Sequence, residues 1–314
     1  MFALPLLGFA ASLALAASGT WEETIEAARR LTMAGRYSDA LPVLSDALKM
    51  AESFGPMDER LAVTLDNLGF LHFQLGDYAA AERFFQRSVR VWEKLGASGQ
   101  TGIDAPLNNL GMLYRYEQRT SKAVEVLGRV YRNRLARLGA DHPDVALSMC
   151  LLAESSRTPN DLETAETLLR RSLAREKNAD LASNLGSICR IRGRSAEAAE
   201  AFALAVEIWE HTLGPSHPTL GEGLTNLGGL YVEAGRYNDA EPMLQRAFSI
   251  TVAALGPDHP QVGRILAYQA VLFRKTGRGR EAKQVAARAR QILEANRKEN
   301  LLDQSVDIRA LSQH

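Results

Sequence analysis

Disulfides, net charge and any familiar catalytic motif are what this 314-residue sequence lacks. Two cysteines in a chain of this length make no disulfide framework. Thirty-seven basic residues balance thirty-seven acidic ones, so charge leaves no footprint for nucleic acid. No His-Glu-x-x-His pair, nucleophile elbow, phosphate loop or dinucleotide fingerprint occurs. Gly277-Arg278-Gly279-Arg280 lacks the spacing and the Lys-Ser/Thr of a phosphate loop. Paired carboxylates such as Glu22-Glu23 read as the ordinary acids of a helix start. These absences predict a chain that is not an enzyme and carries no cofactor and no metal.

Charge is missing, too, from the first twenty residues, MFALPLLGFAASLALAASGT. The apolar core and the small residues Ala14-Leu15-Ala16, or Ala16-Ala17-Ser18, read as a secretory signal peptide over residues 1–18, although its start has no Lys or Arg. On that reading the protein is exported, periplasmic or secreted, with no stable membrane span after cleavage. The alternatives are an uncleaved membrane anchor, for which about 17 apolar residues is the short limit, and an apolar helix capping a cytoplasmic protein.

What the chain does have is a repeat. Leu213-Gly214-Pro215-Ser216-His217-Pro218 returns as Leu255-Gly256-Pro257-Asp258-His259-Pro260, 42 residues on. Such a period points to stacked structural units rather than one large core. Taking the turn between two helices as a ruler places it at Gly35, Gly76, Gln118, Asn160, Gly193, Gly235 and Gly277, with gaps of 41, 42, 42, 33, 42 and 42. Five residues later stand Ala40, Ala81, Ala123, Ala165, Ala198, Ala240 and Ala282. A small residue there lets the second helix approach the first. Twelve residues after the ruler only Ala, Ser or Val occurs. The position between holds Leu44, Phe85, Leu127, Leu169, Phe202 and Leu244, with Ala286 in the last repeat. Apolar positions at intervals of three and four mark amphipathic helices.

The first helix of each unit carries Leu-Gly or Leu-Ala pairs, at Leu68-Gly69, Leu110-Gly111, Leu152-Ala153, Leu185-Gly186 and Leu227-Gly228, with Tyr114 and Tyr231 four residues after the leucine. This pattern resembles the tetratricopeptide repeat, and the Leu-Gly-Pro-x-His-Pro extension resembles its 42-residue kinesin-light-chain type. The resemblance implies an all-α, right-handed superhelical solenoid of about seven tetratricopeptide helix pairs over residues 20–296. Residues 297–314 read as a capping helix or a flexible tail. It also implies a protein-interaction scaffold that binds an extended peptide or a partner helix in a concave groove lined by first helices.

Two registers point to that groove. The residue before each Leu-Gly pair reads Glu26, Asn67, Asn109, Leu151, Asn184, Asn226, Tyr268. A carboxamide both donates to and accepts from a peptide backbone, and in the resembling domains this Asn contacts the bound peptide. Six residues further on, Arg115, Arg157 and Arg190 fall in three consecutive repeats. Guanidinium groups in a row suit carboxylates, hence an acidic or C-terminal peptide. The competing reading is a solvated helix end. His142, His217 and His259 recur one repeat apart, too far for one metal ion whose ligands lie about 2 Å from it, and read as loop hydrogen-bonding residues. Cys150 and Cys189, offset along neighbouring first helices, are expected to be free, buried thiols. An exported assembly component that binds neighbours through its convex face or edges is the alternative function.

Overall fold

The structure is a computed structural model that describes residues 19–33, 36–96, 99 and 101–299. The export-like residues 1–18, the turn glycine Gly35 and residues 300–314 lie outside them. Among the described residues there are fourteen α-helices and no strand. In chain order they are α1 (Trp21–Met33), α2 (Tyr37–Ser53), α3 (Glu59–Gln74), α4 (Tyr78–Leu95), α5 (Asp104–Tyr116), α6 (Thr120–Leu138) and α7 (Pro143–Ser156). There follow α8 (Pro159–Arg175), α9 (Ala179–Ile191), α10 (Ser195–Leu213), α11 (Pro218–Glu233), α12 (Tyr237–Leu255), α13 (Pro260–Lys275) and α14 (Gly279–Glu299). They form seven consecutive helix pairs. The chain divides into two compact units, Met1–Val130 and Tyr131–His314, with the division inside α6. None of these helices is long and apolar enough to cross a membrane.

Four of the pairs are closed by one side chain set against one missing side chain. Leu44, Phe85, Leu127, Leu169, Phe202 and Leu244, all on second helices, are at most 2% exposed. A methyl group on Gly69 would stand 2.5 Å from the Phe85 ring, and one on Gly186 2.7 Å from Phe202. On Gly111 it would stand 2.5 Å from Leu127, and on Gly228 2.9 Å from Leu244. The glycine of the Leu-Gly pair is therefore the socket for the large residue of its partner helix, and buried Ala153 holds the small position in the fourth repeat. Every alanine of the five-residue register is buried as well. A fully buried Leu or Phe contributes roughly 1.5–3 kcal/mol, so each of these six large residues does much to hold its own helix pair together. Cys150 and Cys189 are buried and unbridged.

The turns follow the ruler with one exception. Gly76, Gln118, Gly193, Gly235 and Gly277 are left-handed, with φ between 58° and 81°, a conformation glycine adopts without a Cβ penalty. The next residue's N–H reaches back five positions, as in Arg119 N to Tyr114 O at 2.8 Å and Arg236 N to Tyr231 O at 2.8 Å, closing a Schellman cap. In the fourth repeat Asn160 is not the turn: it lies inside α8, and Arg157, with φ 51°, is the left-handed residue. Pro159 explains the shift. It holds Thr158 in an extended conformation, φ −72° and ψ 144°, while Thr158 Oγ1 accepts from Asp161 N at 3.2 Å. The second helix thus starts early, and α7 cannot run past Ser156.

The recurring histidines are helix caps. His142, His217 and His259 each precede a proline at the first helical position, and each Nδ1 accepts from the backbone N–H two residues on: Asp144 at 3.2 Å, Thr219 at 3.3 Å and Gln261 at 3.3 Å. Where the fourth-to-fifth connection lacks that loop, Asn178 caps α9 instead, accepting from Asp180 N and Leu181 N. An imidazole accepts through Nδ1 only when that nitrogen is unprotonated. Burial holds the His259 pKa below the ordinary histidine value.

Two tests follow from packing and capping. Gly111→Val should lower unfolding free energy by about 1–3 kcal/mol, measured by denaturant unfolding followed by circular dichroism; no loss would mean that Leu127 does not need its socket. With a depressed folded pKa, the His259 contribution is complete above the ordinary histidine pKa and is lost as pH falls through that value to the folded one. Thermal unfolding between pH 8 and pH 5 should therefore fall more steeply for the wild type than for His259→Asn, which keeps a capping oxygen at all these pH values.

Candidate functional site

The first unit contains a cleft of about 280 Å³ among α1, α2, α3 and α5. Its apolar wall comes from Ile25 and Ala28 on α1, Leu44 on α2 and Phe70 on α3. Its polar side is Asp66 and Asn67 on α3 with Asn109 on α5. Arg29 and Thr32 complete the lining from α1. Two of the four predicted asparagines thus meet at one opening. They do so because Leu68 and Leu110 point into the core, which turns the residue before each toward the exposed face of the first helix. Asn109 Nδ2 donates to Asp66 Oδ1 at 2.9 Å. Asn67 has no hydrogen-bond partner among the described residues.

Asp66 is what the sequence reading missed. Its register one residue before the Asn holds Asn108, Cys150, Ser183, Thr225 and Ala267 in later repeats, none of them ionisable to an anion at neutral pH except through a thiol. Cys150, Thr225 and Ala267 are buried there. A carboxylate at this packing position is exceptional, and burial pushes its pKa up to about 6 against a smaller lowering by the Asn109 bond. The signal lay in comparing registers across repeats, a comparison that had stopped one residue later.

In the second unit the predicted residues are spread out. Asn184 is turned to its own neighbours: Nδ2 donates to Asp180 O at 2.7 Å, and the Cys150 thiol lies 3.2 Å from Oδ1. Asn226 and Arg190 line one small pocket with Glu233, Arg264 and Tyr268, but it holds only about 30 Å³, room for about one water. Arg190 is exposed and pairs with Glu233 at 3.4 Å. Arg157 is exposed at the left-handed end of α7 rather than on the helix, so the expected helical row of arginines is broken at its middle member. Arg115 is half-buried in the last turn of α5.

Other arginines, one residue after the turn, do structural work. Arg119, Arg236 and Arg278 lie over Tyr114, Tyr231 and Phe273 at 4.5, 4.2 and 4.0 Å from the ring centroids. Arg119 also reaches Glu82 of the preceding repeat at 2.8 Å, Arg278 reaches Glu241, and Arg194 reaches Glu166. Ligand-type atoms of Glu166, Cys189 and Glu197 lie within 4.8 Å of one another. The Glu166 carboxylate, however, is taken by Arg170, Arg192 and Arg194. Burial pushes its pKa up, yet hydrogen bonds from Arg194 and Arg170 outweigh that and hold it below the usual range. Burial also raises the Cys189 thiol pKa, which disfavours the thiolate needed for metal binding or attack.

Seven helix pairs with a small-residue socket, a left-handed turn and an exposed first-helix face define a helix-pair repeat protein. The model of the tetratricopeptide repeat family matches residues 26–94, 102–178, 177–251 and 224–295. The chain belongs to the tetratricopeptide repeat family, whose members are as a rule protein-interaction scaffolds. No curated protein matches it. Similar solved structures include the Rap conjugation gene regulator of plasmid pLS20 in complex with the Phr* peptide, with TM-score 0.60, 14% identity and coverage of 90% of this chain and 77% of that one. A tetratricopeptide repeat protein from Parabacteroides merdae has TM-score 0.55 at 17% identity, covering 93% and 96%. The nearly identical repeats of a putative kinesin light chain from Podosopora anserina have TM-score 0.47 at 21% identity, covering 61% and 95%.

The carboxylate in the cleft has a measurable consequence. A raised folded pKa means that Asp66 lends stability that is complete below the unfolded carboxylate value, about pH 4, and is lost as pH rises through about 6. Asp66→Asn keeps an acceptor for Asn109 and should stabilise the protein by roughly 1–2 kcal/mol at pH 7.5, with solvent at the cleft mouth screening part of the effect. The gain should vanish near pH 4, as read by thermal unfolding at the two pH values.

Proposed function

We propose that this protein is a non-catalytic scaffold that binds an extended peptide along its first helices, with Asn67 and Asn109 contacting the peptide backbone. The observation that carries the reading is the convergence of these two carboxamides on one open cleft with an apolar wall. Asn67 is the sharper of the two, because its half-buried side chain makes no hydrogen bond among the described residues. A repeat protein of similar fold was solved with a peptide in place, which supports a peptide as the ligand class. In the second unit, Asn226 and Arg190 are the residues through which the same peptide class would be met, with Arg190 taking any carboxylate; in the first unit that role falls to Arg115. Asn184 contributes less, since its carboxamide is already engaged, and Arg157 contributes only from the end of its helix. Export by residues 1–18 belongs to the same proposal and rests on their composition; N-terminal sequencing of protein from a cell fraction tests it.

Asn67→Ala is the direct test. Its side chain has no internal partner, so unfolding free energy should change by less than about 0.5 kcal/mol. Losing one or two peptide hydrogen bonds should weaken binding roughly 5–20-fold, measured by anisotropy against peptides selected from an array of random extended sequences. Unchanged affinity in a protein with intact helical circular dichroism would remove the first-helix groove as the binding surface.

A further inference from the structure

We infer that the cleft of the first unit selects a lysine or arginine side chain of the bound peptide, with Asp66 as its counter-charge. This rests on the peptide-binding reading and deepens it by naming what one subsite recognises.

The register comparison comes first. The other repeats place Ile25, Asn108, Cys150, Ser183, Thr225 and Ala267 where α3 has Asp66, so no other repeat has a carboxylate there and stacking gives no reason for one. Second, Asp66 is only half satisfied. Asn109 Nδ2 occupies Oδ1 at 2.9 Å, and the carboxylate has no other hydrogen-bond partner among the described residues while lining the cleft. Third, the cation already at the rim is committed elsewhere: Arg29 forms a two-point pair with Glu26, Nε to Oε2 at 2.7 Å and Nη2 to Oε1 at 2.8 Å.

The shape fits the same occupant. About 280 Å³ falls at the small end of ligand pockets, which span about 300–1,000 Å³. That is room for a side chain and its adjoining backbone. Ile25, Ala28, Leu44 and Phe70 offer the aliphatic stem an apolar wall, with the carboxylate beyond it. Lysine and arginine are the side chains that combine such a stem with a cationic end. Burial disfavours the Asp66 anion in the empty cleft, and an ammonium or guanidinium group would relieve that penalty. An acidic side chain would meet repulsion at this subsite.

The test uses the full chain and an array of random twelve-residue peptides. The best binders are resynthesised with the basic residue replaced by norleucine, and affinities are read by fluorescence anisotropy for wild type and Asp66→Asn. Binders should be enriched in lysine or arginine. The norleucine replacement should weaken binding about tenfold or more in the wild type and less than about twofold in Asp66→Asn. Binders without basic enrichment, or an equal norleucine penalty in both proteins, would overturn the inference and leave the peptide reading standing. No binder at all, from protein with intact helical circular dichroism, would overturn the peptide reading and this inference with it.

Discussion

A large side chain of the second helix seated over a glycine of the first, as in four of the helix pairs, is the contact on which the rest of this protein depends. Phe85 over Gly69 and Phe202 over Gly186 show its extreme form, with no space for even a methyl group between ring and helix. Because each socket joins residues 16 apart in sequence, the closing contact is local and repeats without reference to the rest of the chain. That locality lets the chain build its interior repeat by repeat rather than around one centre. It also turns the opposite face of each first helix outward, where a position is free to hold a residue that stacking does not require.

Part of the charge serves the helix ends. The residue after each turn must send its N–H back toward the first helix to close the cap, and an arginine there lays its guanidinium over the aromatic ring at the residue it bonds. Having been placed by the cap, Arg119, Arg194 and Arg278 then reach a glutamate of the repeat before. The balance of basic and acidic residues is in part a consequence of this pairing. The histidine loop is read the same way: its imidazole is the N-cap and its proline the first helical residue.

What distinguishes the first-unit cleft is a departure from the repeat rather than the repeat itself. Asn67 and Asn109 occupy a periodic register, whereas Asp66 puts a carboxylate that only one neighbour satisfies at a register where no other repeat has one. Stacking tolerates it because the cleft keeps its outer oxygen within reach of solvent or a ligand. The second unit shows the opposite outcome. Asn184 has the same register as Asn67, but Cys150 and the Asp180 carbonyl absorb its carboxamide. The same residue type is therefore a ligand candidate in one repeat and an internal tie in another.

The helix pairs, their sockets and five of the seven turns could be read from residue types at a 42-residue spacing, because the contacts that define them are short in sequence and recur. The fourth turn was misplaced at Asn160 because the ruler followed the alanine register, while the Thr158-Pro159 helix start obeys a local rule that outranks it. Which asparagines remain available, and that Asp66 shares a cleft with them, was decided only by the tertiary structure. Asn67 and Asn109 are 42 residues apart, Asn184 and Cys150 are 34 apart, and whether a carboxamide finds a partner depends on what the neighbouring first helix brings against it. Sequence by itself determined the architecture, since each unit is specified within its own span. Packing between units of the repeat decided the chemistry of the surface, because a side chain's freedom is a property of its neighbours.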